Sequence, residues 1–233
     1  METRAYSKAQ SNVSVAGIFM GHVYRWMTIG LGVTAFTAFA VAGSPALVEA
    51  IFGNFLIMVV LIVAQIGLVV ALSAAIHKLS AGTATGIFLL YALLNGLTLS
   101  SIFIVYPIGN IANAFLTCTG MFLVMSVYGT VTKRDLTGMG SFLFMGLIGI
   151  IIASIVNIFL GSSMLDFVIS CAGVIIFTGL TAYDTQKLRQ FGEAAPLDDA
   201  SAIRRGAILG ALTLYLDFIN LFLMLLRLFG NRD

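Results

Sequence analysis

Two aspartates stand where a carboxylate is costly. Asp184 lies in TGLTAYDTQKLRQFG and Asp217 in GALTLYLDFINLFLMLLRLFG, both inside long apolar runs. Of the ten acidic residues, Glu2, Glu49, Asp135, Glu193, Asp198, Asp199 and Asp233 fall at termini or in polar connections. Asp166 opens an apolar run, where an acid near a helix N-terminus is favourable. If the helix bearing Asp184 continues to Phe191, that carboxyl lies about 10 Å from the helix end, and Asp217 lies about 15 Å beyond Ala207. At such depth an ionised carboxylate must be paired, hydrated or protonated, so both side chains are expected to point inward.

Two carboxylates in one low-dielectric pocket cannot both ionise cheaply. They share a proton and titrate as a unit, which makes the pair a pH sensor. A divalent cation can replace the proton. Calcium takes about six to eight oxygens, so Asp184 and Asp217 with carbonyls, Asn220 and water make only a weak calcium site. Three neighbours are supporting candidates: Tyr183 beside Asp184, Lys187 one turn further on, and Asn220 one turn beyond Asp217. The plainer alternative for Asp184 is an interfacial salt bridge to Lys187. Asp217 has no cation on its own helix face.

The elements that position these residues follow from composition. The chain has 233 residues, 60% hydrophobic and only 9% charged. A soluble domain averages about a quarter charged, so lipid must face much of this surface. A spanning helix needs roughly 20 apolar residues. Trp26 to Val48 and Phe55 to Ile76 supply two. Leu79 to Thr132 carries no formal charge and supplies two more, with Pro107-Ile108-Gly109-Asn110 as the expected turn. Further spans run from about Ser141 to Phe159, from about Phe167 into the 180s, and from about Ala207 to Leu226. The fold class is therefore all-α, a polytopic membrane protein with seven transmembrane helices. Residues 1–23 are expected as a cytosolic tail, since they lack the pattern of a signal peptide. Residues 24–229 form the single membrane domain and 230–233 a short C-terminal tail.

Basic residues give the orientation. With the N-terminus in the cytoplasm, Arg4, Lys8, Arg25, Lys78, Lys133, Arg134, Lys187, Arg189, Arg204 and Arg205 all lie inside, ten of the twelve. The outer connections around Ser44–Asn54, Tyr106–Asn113 and Gly161–Asp166 contain none. Arg227 and Arg232 would lie outside, unless the last segment is re-entrant.

Several chemistries are excluded. The net charge of +2 and the lack of a basic run argue against nucleic acid or a phosphate-binding face. The 24 glycines, including Gly138–Gly140 and Gly146–Gly149, read as helix-packing positions, because no GxxxxGK[ST] motif occurs. Cys118 and Cys171 sit in apolar runs and read as reduced, buried thiols without a zinc-ligand set. The seventh span holds no lysine for a retinal Schiff base, and no GxSG-type serine motif occurs. An intramembrane aspartyl protease is weighed because Tyr183-Asp184 precedes Asp217. However, Asp217 follows LYL rather than GxG, and no PAL follows it. No enzyme and no cofactor are expected.

TGLTAYDTQKLRQFG, the closing LTLYLDFINLFLMLLRLFGNR and SAGTATGIFLLYALLNGLTLSSIFIVY together resemble the bacterial side of the Bax inhibitor-1 family, over essentially the whole chain. The resemblance implies seven helices with the last one central and the other six around it. It implies a pH-sensitive calcium leak channel of the bacterial inner membrane, gated by a hydrogen-bonded aspartate pair that matches Asp184 and Asp217. In some members a basic residue at the end of the second helix engages that pair. The matching region here, AAIHKLSAG, offers Lys78 or His77 and no arginine cluster. Bacterial relatives are associated with a membrane-bound ATP-dependent protease, which makes such a protease the expected protein partner. The competing reading is a non-conducting regulator of other membrane proteins.

Orientation is directly testable. Single cysteines at Val48–Phe52 and Gly161–Ser163, in a background lacking Cys118 and Cys171, should react with an impermeant thiol reagent from outside. Labelling from the cytoplasmic side alone would sink the seven-helix arrangement.

Overall fold

The structure, a computed structural model, describes residues 2–194 and 200–230, with side chains described from residue 15 and again from 201. Ala195–Asp199 of the polar loop (including Asp198 and Asp199), Asn231–Asp233 of the C-terminal tail, and the side chains of Glu2, Arg4 and Lys8 lie outside the described residues. Among the described residues all regular structure is helical: α1 (Glu2–Ala42), α2 (Pro45–Phe52), α3 (Phe55–Ala75), α4 (Ala81–Leu99), α5 (Ile102–Val105), α6 (Ile108–Val131), α7 (Thr137–Leu160), α8 (Ser163–Ala194) and α9 (Ala200–Phe229). Seven segments are long and apolar enough to cross a membrane, with α4 and α5 together forming one of them. A bilayer core permits this solution because a helix satisfies its own backbone groups.

The boundaries differ from expectation in instructive ways. α1 begins at Glu2, so the expected tail is helical and continuous with the first span, whose crossing segment is Val15–Ala42. The chain from Pro45 to Phe52, expected to continue that span or form a loop, is a separate short helix opened by proline at its first position. Pro107 does mark a boundary, but Ile108, Gly109 and Asn110 already belong to α6. A further break, within the third span, falls at Ser100 and Ser101, whose hydroxyls donate to Leu97 O and Thr98 O and compete with the helix ladder. α9 runs unbroken to Phe229, so no re-entrant turn occurs among the described residues.

Caps set the remaining ends. Asn54 accepts Leu56 N–H at 2.9 Å to start α3, and Ser80 accepts Thr83 N–H at 3.1 Å to start α4. Gly161 ends α7 at φ 59°, a left-handed conformation that a side chain would strain. The adjoining Ser162 N–H is satisfied by Asn157 Oδ1 at 3.0 Å.

The chain forms two compact units, Met1–Val105 with Leu188–Tyr215, and Tyr106–Lys187 with Leu216–Asp233. In the first, α1 and α3 pack along α4, and Tyr215, midway along α9, lies against the rings of Phe88 and Tyr91. A polar cluster sits within that apolar packing. Thr34 donates to Ala92 O at 2.8 Å, so the Tyr215 hydroxyl donates to Thr34 Oγ1 at 2.6 Å and accepts from Asn95 Nδ2 at 2.8 Å. In the second unit, Phe115 and Phe122 stand edge-on to Phe218 with ring centroids 5.6 and 5.5 Å away. Cys118 donates its thiol to Phe218 O, while Cys171 is half-buried. Both cysteines are free thiols.

In the second unit α6 comes close to α8 where Gly129 meets the backbone of Ala182. A Cβ at Gly129 has no room, because the obstructing atoms are main chain. Gly120, on the same helix, faces open space. Among the paired glycines named from the sequence, Gly140 and Gly146 press on Tyr183 and Ile176, whereas Gly138 and Gly149 meet nothing. Gly129→Ala should therefore destabilise the detergent-solubilised protein by about 1–3 kcal/mol, as overpacking does, and Gly120→Ala should leave it unchanged. Equal thermal midpoints for the two variants would remove the close-approach argument.

Candidate functional site

Asp184 sits on α8 and Asp217 on α9, both well inside their helices and both in the second unit. α8 extends to Ala194, so Asp184 lies about 15 Å from that end rather than 10 Å. The two carboxyl groups come within hydrogen-bonding reach of each other. Asp217 is only 6% exposed, while Asp184 is half-buried. Oδ2 of Asp217 is enclosed and meets no donor among the described residues. A hydrogen bond between two carboxyl groups requires a proton on one of them, since ionised carboxylates only accept. The two carboxyls thus face each other inside the second unit, with the more enclosed member on α9.

The backbone under Asp184 is fixed from three directions. Ala182 carries the Gly129 contact with α6. Thr185, fully buried, points its hydroxyl at Ser126 Oγ of α6, 3.5 Å away. Gln186, also buried, accepts Leu136 N–H at 2.9 Å and donates to Arg134 O at 2.8 Å, which pins the α6–α7 connection to α8. That connection begins α7 through Asp135, whose carboxylate accepts both the N–H and the hydroxyl of Thr137 at 2.9 and 2.6 Å. These bonds hold the exposed Asp135 below the usual carboxylate range. Gln186 lies in the quoted motif, two residues from Asp184, yet its clamping role could not be read from spacing. A glutamine in an apolar run with no obvious partner was the available signal.

The supporting candidates are placed unequally. Lys187 is exposed, and its ammonium lies over the Tyr183 ring, 5.8 Å from the centroid. It is near enough to Asp184 to act electrostatically, but among the described residues no ion pair within 4 Å joins them. The simple interfacial salt bridge is thus replaced by a cation–π contact. Tyr183 supports that cation and receives Gly140 against its ring. Asn220 donates its amide to Leu216 O at 2.8 Å on its own helix, and no hydrogen bond among the described residues joins it to either carboxyl. Lys78 and His77 belong to the other unit, exposed in the turn after α3. No third histidine, cysteine, aspartate or glutamate joins the pair in a metal-ligand cluster among the described residues. Two carboxyls fall well short of the roughly six to eight oxygens calcium prefers, so the pair can hold that ion only weakly.

At the far end of the same two helices, Asp166 of α8 faces Arg227 of α9, with 3.8 Å between Oδ1 and Nη1. The ion pair shows that Arg227 ends beside the start of α8. Both residues are about one-third exposed, so the contact adds little to stability.

Comparison with known proteins places the chain among membrane-protein relatives. A family model described as inhibitor of apoptosis-promoting Bax1 matches residues 17–233. The chain is 58% identical to the inner membrane protein YbhL of Escherichia coli K12, over 92% of each chain. It is 47% identical to an uncharacterized protein of Borreliella burgdorferi over 97% of each chain, and 40% identical to one of Deinococcus radiodurans over 96% and 95%.

Gln186→Ala should leave Leu136 N–H and Arg134 O without their side-chain partner and lower stability by about 1–3 kcal/mol. Amide exchange should rise in the α6–α7 connection and not in α3. Unchanged protection at Leu136 would show that Gln186 does not hold it.

Proposed function

Because this chain belongs to the Bax inhibitor-1 family, we propose that it is a pH-sensitive calcium or general cation leak channel of the inner membrane, controlled by the Asp184–Asp217 pair. The N-terminus faces the cytoplasm in this reading, on the strength of the basic-residue distribution. The single observation that carries the proposal is the pair itself. Two carboxyls lie within hydrogen-bonding reach inside spanning helices, one of them almost wholly enclosed. The protein does no bond chemistry in this reading and needs no cofactor; calcium is the permeant ion. A site of two carboxyls binds calcium weakly, which suits passage rather than storage.

The sign of the coupling governs what pH does. With one shared proton, the pair carries about one negative charge and is joined by a short O–H···O bond. As pH rises the proton leaves, and two like charges drive α8 and α9 apart unless a cation intervenes. As pH falls the second carboxyl is protonated, and the attraction from Lys187 is lost. Electrostatics fixes the dependence on the pair, whichever pH conducts.

Calcium flux into vesicles holding the purified protein, measured across pH, tests this. Asp184→Asn and Asp217→Asn should each flatten the pH response, and the double variant should match the singles rather than their sum, because the residues titrate as one unit. Asparagine keeps hydrogen bonding without charge, so both variants should fold. Folded single variants that retain the parental pH profile would transfer the role to a non-conducting regulator, with a membrane-bound ATP-dependent protease as the partner to examine.

A further inference from the structure

The first unit contains a cavity of about 520 Å³ between α1, α4 and α9, lined by His22, Arg25, Trp26, Gly82, Thr85 and Arg204 among others. Its polar wall is cationic. Arg25 and Arg204 come from opposite ends of the sequence, so no basic run announces them, yet the fold brings both of these exposed side chains to the lining of one cavity. Neither has a carboxylate partner among the described residues, and the lining includes no acidic residue. Ile29, Ile203 and Ile208 complete the wall on the apolar side. The first turn of α4 adds to the positive potential, since Ala81 and Gly82 precede the first intrahelical bond, Ala84 N–H to Ser80 O at 2.9 Å. Trp26, half-buried in the lining, has the amphipathic ring favoured at headgroup level.

We propose that this cavity binds a phosphate-bearing anion, as an acidic phospholipid headgroup or as free phosphate. The arginines supply forked donors that match phosphate oxygens, and His22 adds a further donor. A cavity of this size far exceeds a single water's share of about 30 Å³ and accommodates a glycerophosphate group. The isoleucines suit the glycerol and the first acyl carbons of a lipid. Basic pockets between spanning helices are a general solution for holding anionic headgroups. The site is separate from the carboxyl pair and does not depend on the channel reading.

Trp26 is the only tryptophan in the chain, so its fluorescence reports on this cavity alone. The full-length protein in nonionic detergent would be titrated with short-chain phosphatidylglycerol, short-chain phosphatidylcholine and inorganic phosphate. Phosphatidylglycerol should give a saturable change with a midpoint about tenfold or more lower in concentration than that of phosphatidylcholine, that midpoint moving to higher concentration by about tenfold or more in Arg25→Gln/Arg204→Gln. The midpoint rather than the amplitude is read, because residue 25 adjoins the fluorophore. Arg25→Lys/Arg204→Lys should recover most of the affinity, which separates lost charge from a damaged fold; helical circular dichroism of each variant checks the latter. Saturation by inorganic phosphate with the same arginine dependence identifies free phosphate as the ligand, and saturation by phosphatidylglycerol alone identifies the headgroup. Indistinguishable responses to the two lipids with none to phosphate, or a midpoint unmoved by Arg25→Gln/Arg204→Gln in a folded protein, would overturn the proposal.

Discussion

Hydrocarbon offers no partner to a polar group, so every hydroxyl, amide and carboxyl in a spanning helix must find one within the chain or keep a proton. Among the described residues most such groups meet it locally, whereas Thr178 Oγ1 and Asp217 Oδ2 are buried without a hydrogen-bond partner. Tyr215, Thr34, Asn95 and Ala92 O close a chain of hydrogen bonds in the first unit. Other hydroxyls turn back on their own helices, as Thr181 does to Phe177 O and Thr213 to Leu209 O. Asp217 cannot do either. The group that faces it is a second carboxyl, that of Asp184.

The surroundings of Asp184 show why position matters as much as identity. Residues 182, 185 and 186 are held by a main-chain contact, a hydroxyl contact and an amide clamp. Three restraints within five residues leave α8 little freedom to roll or slide there. The carboxyl is therefore presented from a fixed stretch of backbone. Its own environment is half-open, in contrast with Asp217. Two chemically identical groups thus occupy unlike surroundings, which is what separates the roles of paired carboxyls.

The spans and both aspartates were legible in the sequence because hydropathy and isolated charge are local properties. Asp184 and Asp217 are conspicuous against apolar neighbours, whatever the tertiary arrangement. Local signals also gave approximate ends for α3 and α7. They failed at α1, where a polar segment of good helix formers extends the helix to Glu2, and at Gly109-Asn110, where turn-forming residues occupy the first turn of a helix. Roles that depend on a distant partner were out of reach. Nothing near Gln186 names Leu136, and nothing near Arg25 names Arg204. Asn220 illustrates the opposite error, since proximity in sequence to Asp217 suggested a partnership, whereas its amide turns to Leu216 O.

α9 differs from every other span in its surroundings: 72% of its most apolar window is buried, against 6% for α3. Ribosomal synthesis runs from the N-terminus, so of the seven spans found among the described residues this helix is made after the other six. Until it arrives, Thr34 and Asn95 lack the Tyr215 hydroxyl, Cys118 lacks Phe218 O, and Asp184 lacks its carboxyl partner. α3 can meet lipid on its own as soon as it is made. α9 instead enters to a place whose polar partners are already waiting, and that lowers the cost of inserting Asp217. The order of translation and the order of burial run in the same direction, with the residue least suited to lipid delivered when the least lipid need be faced.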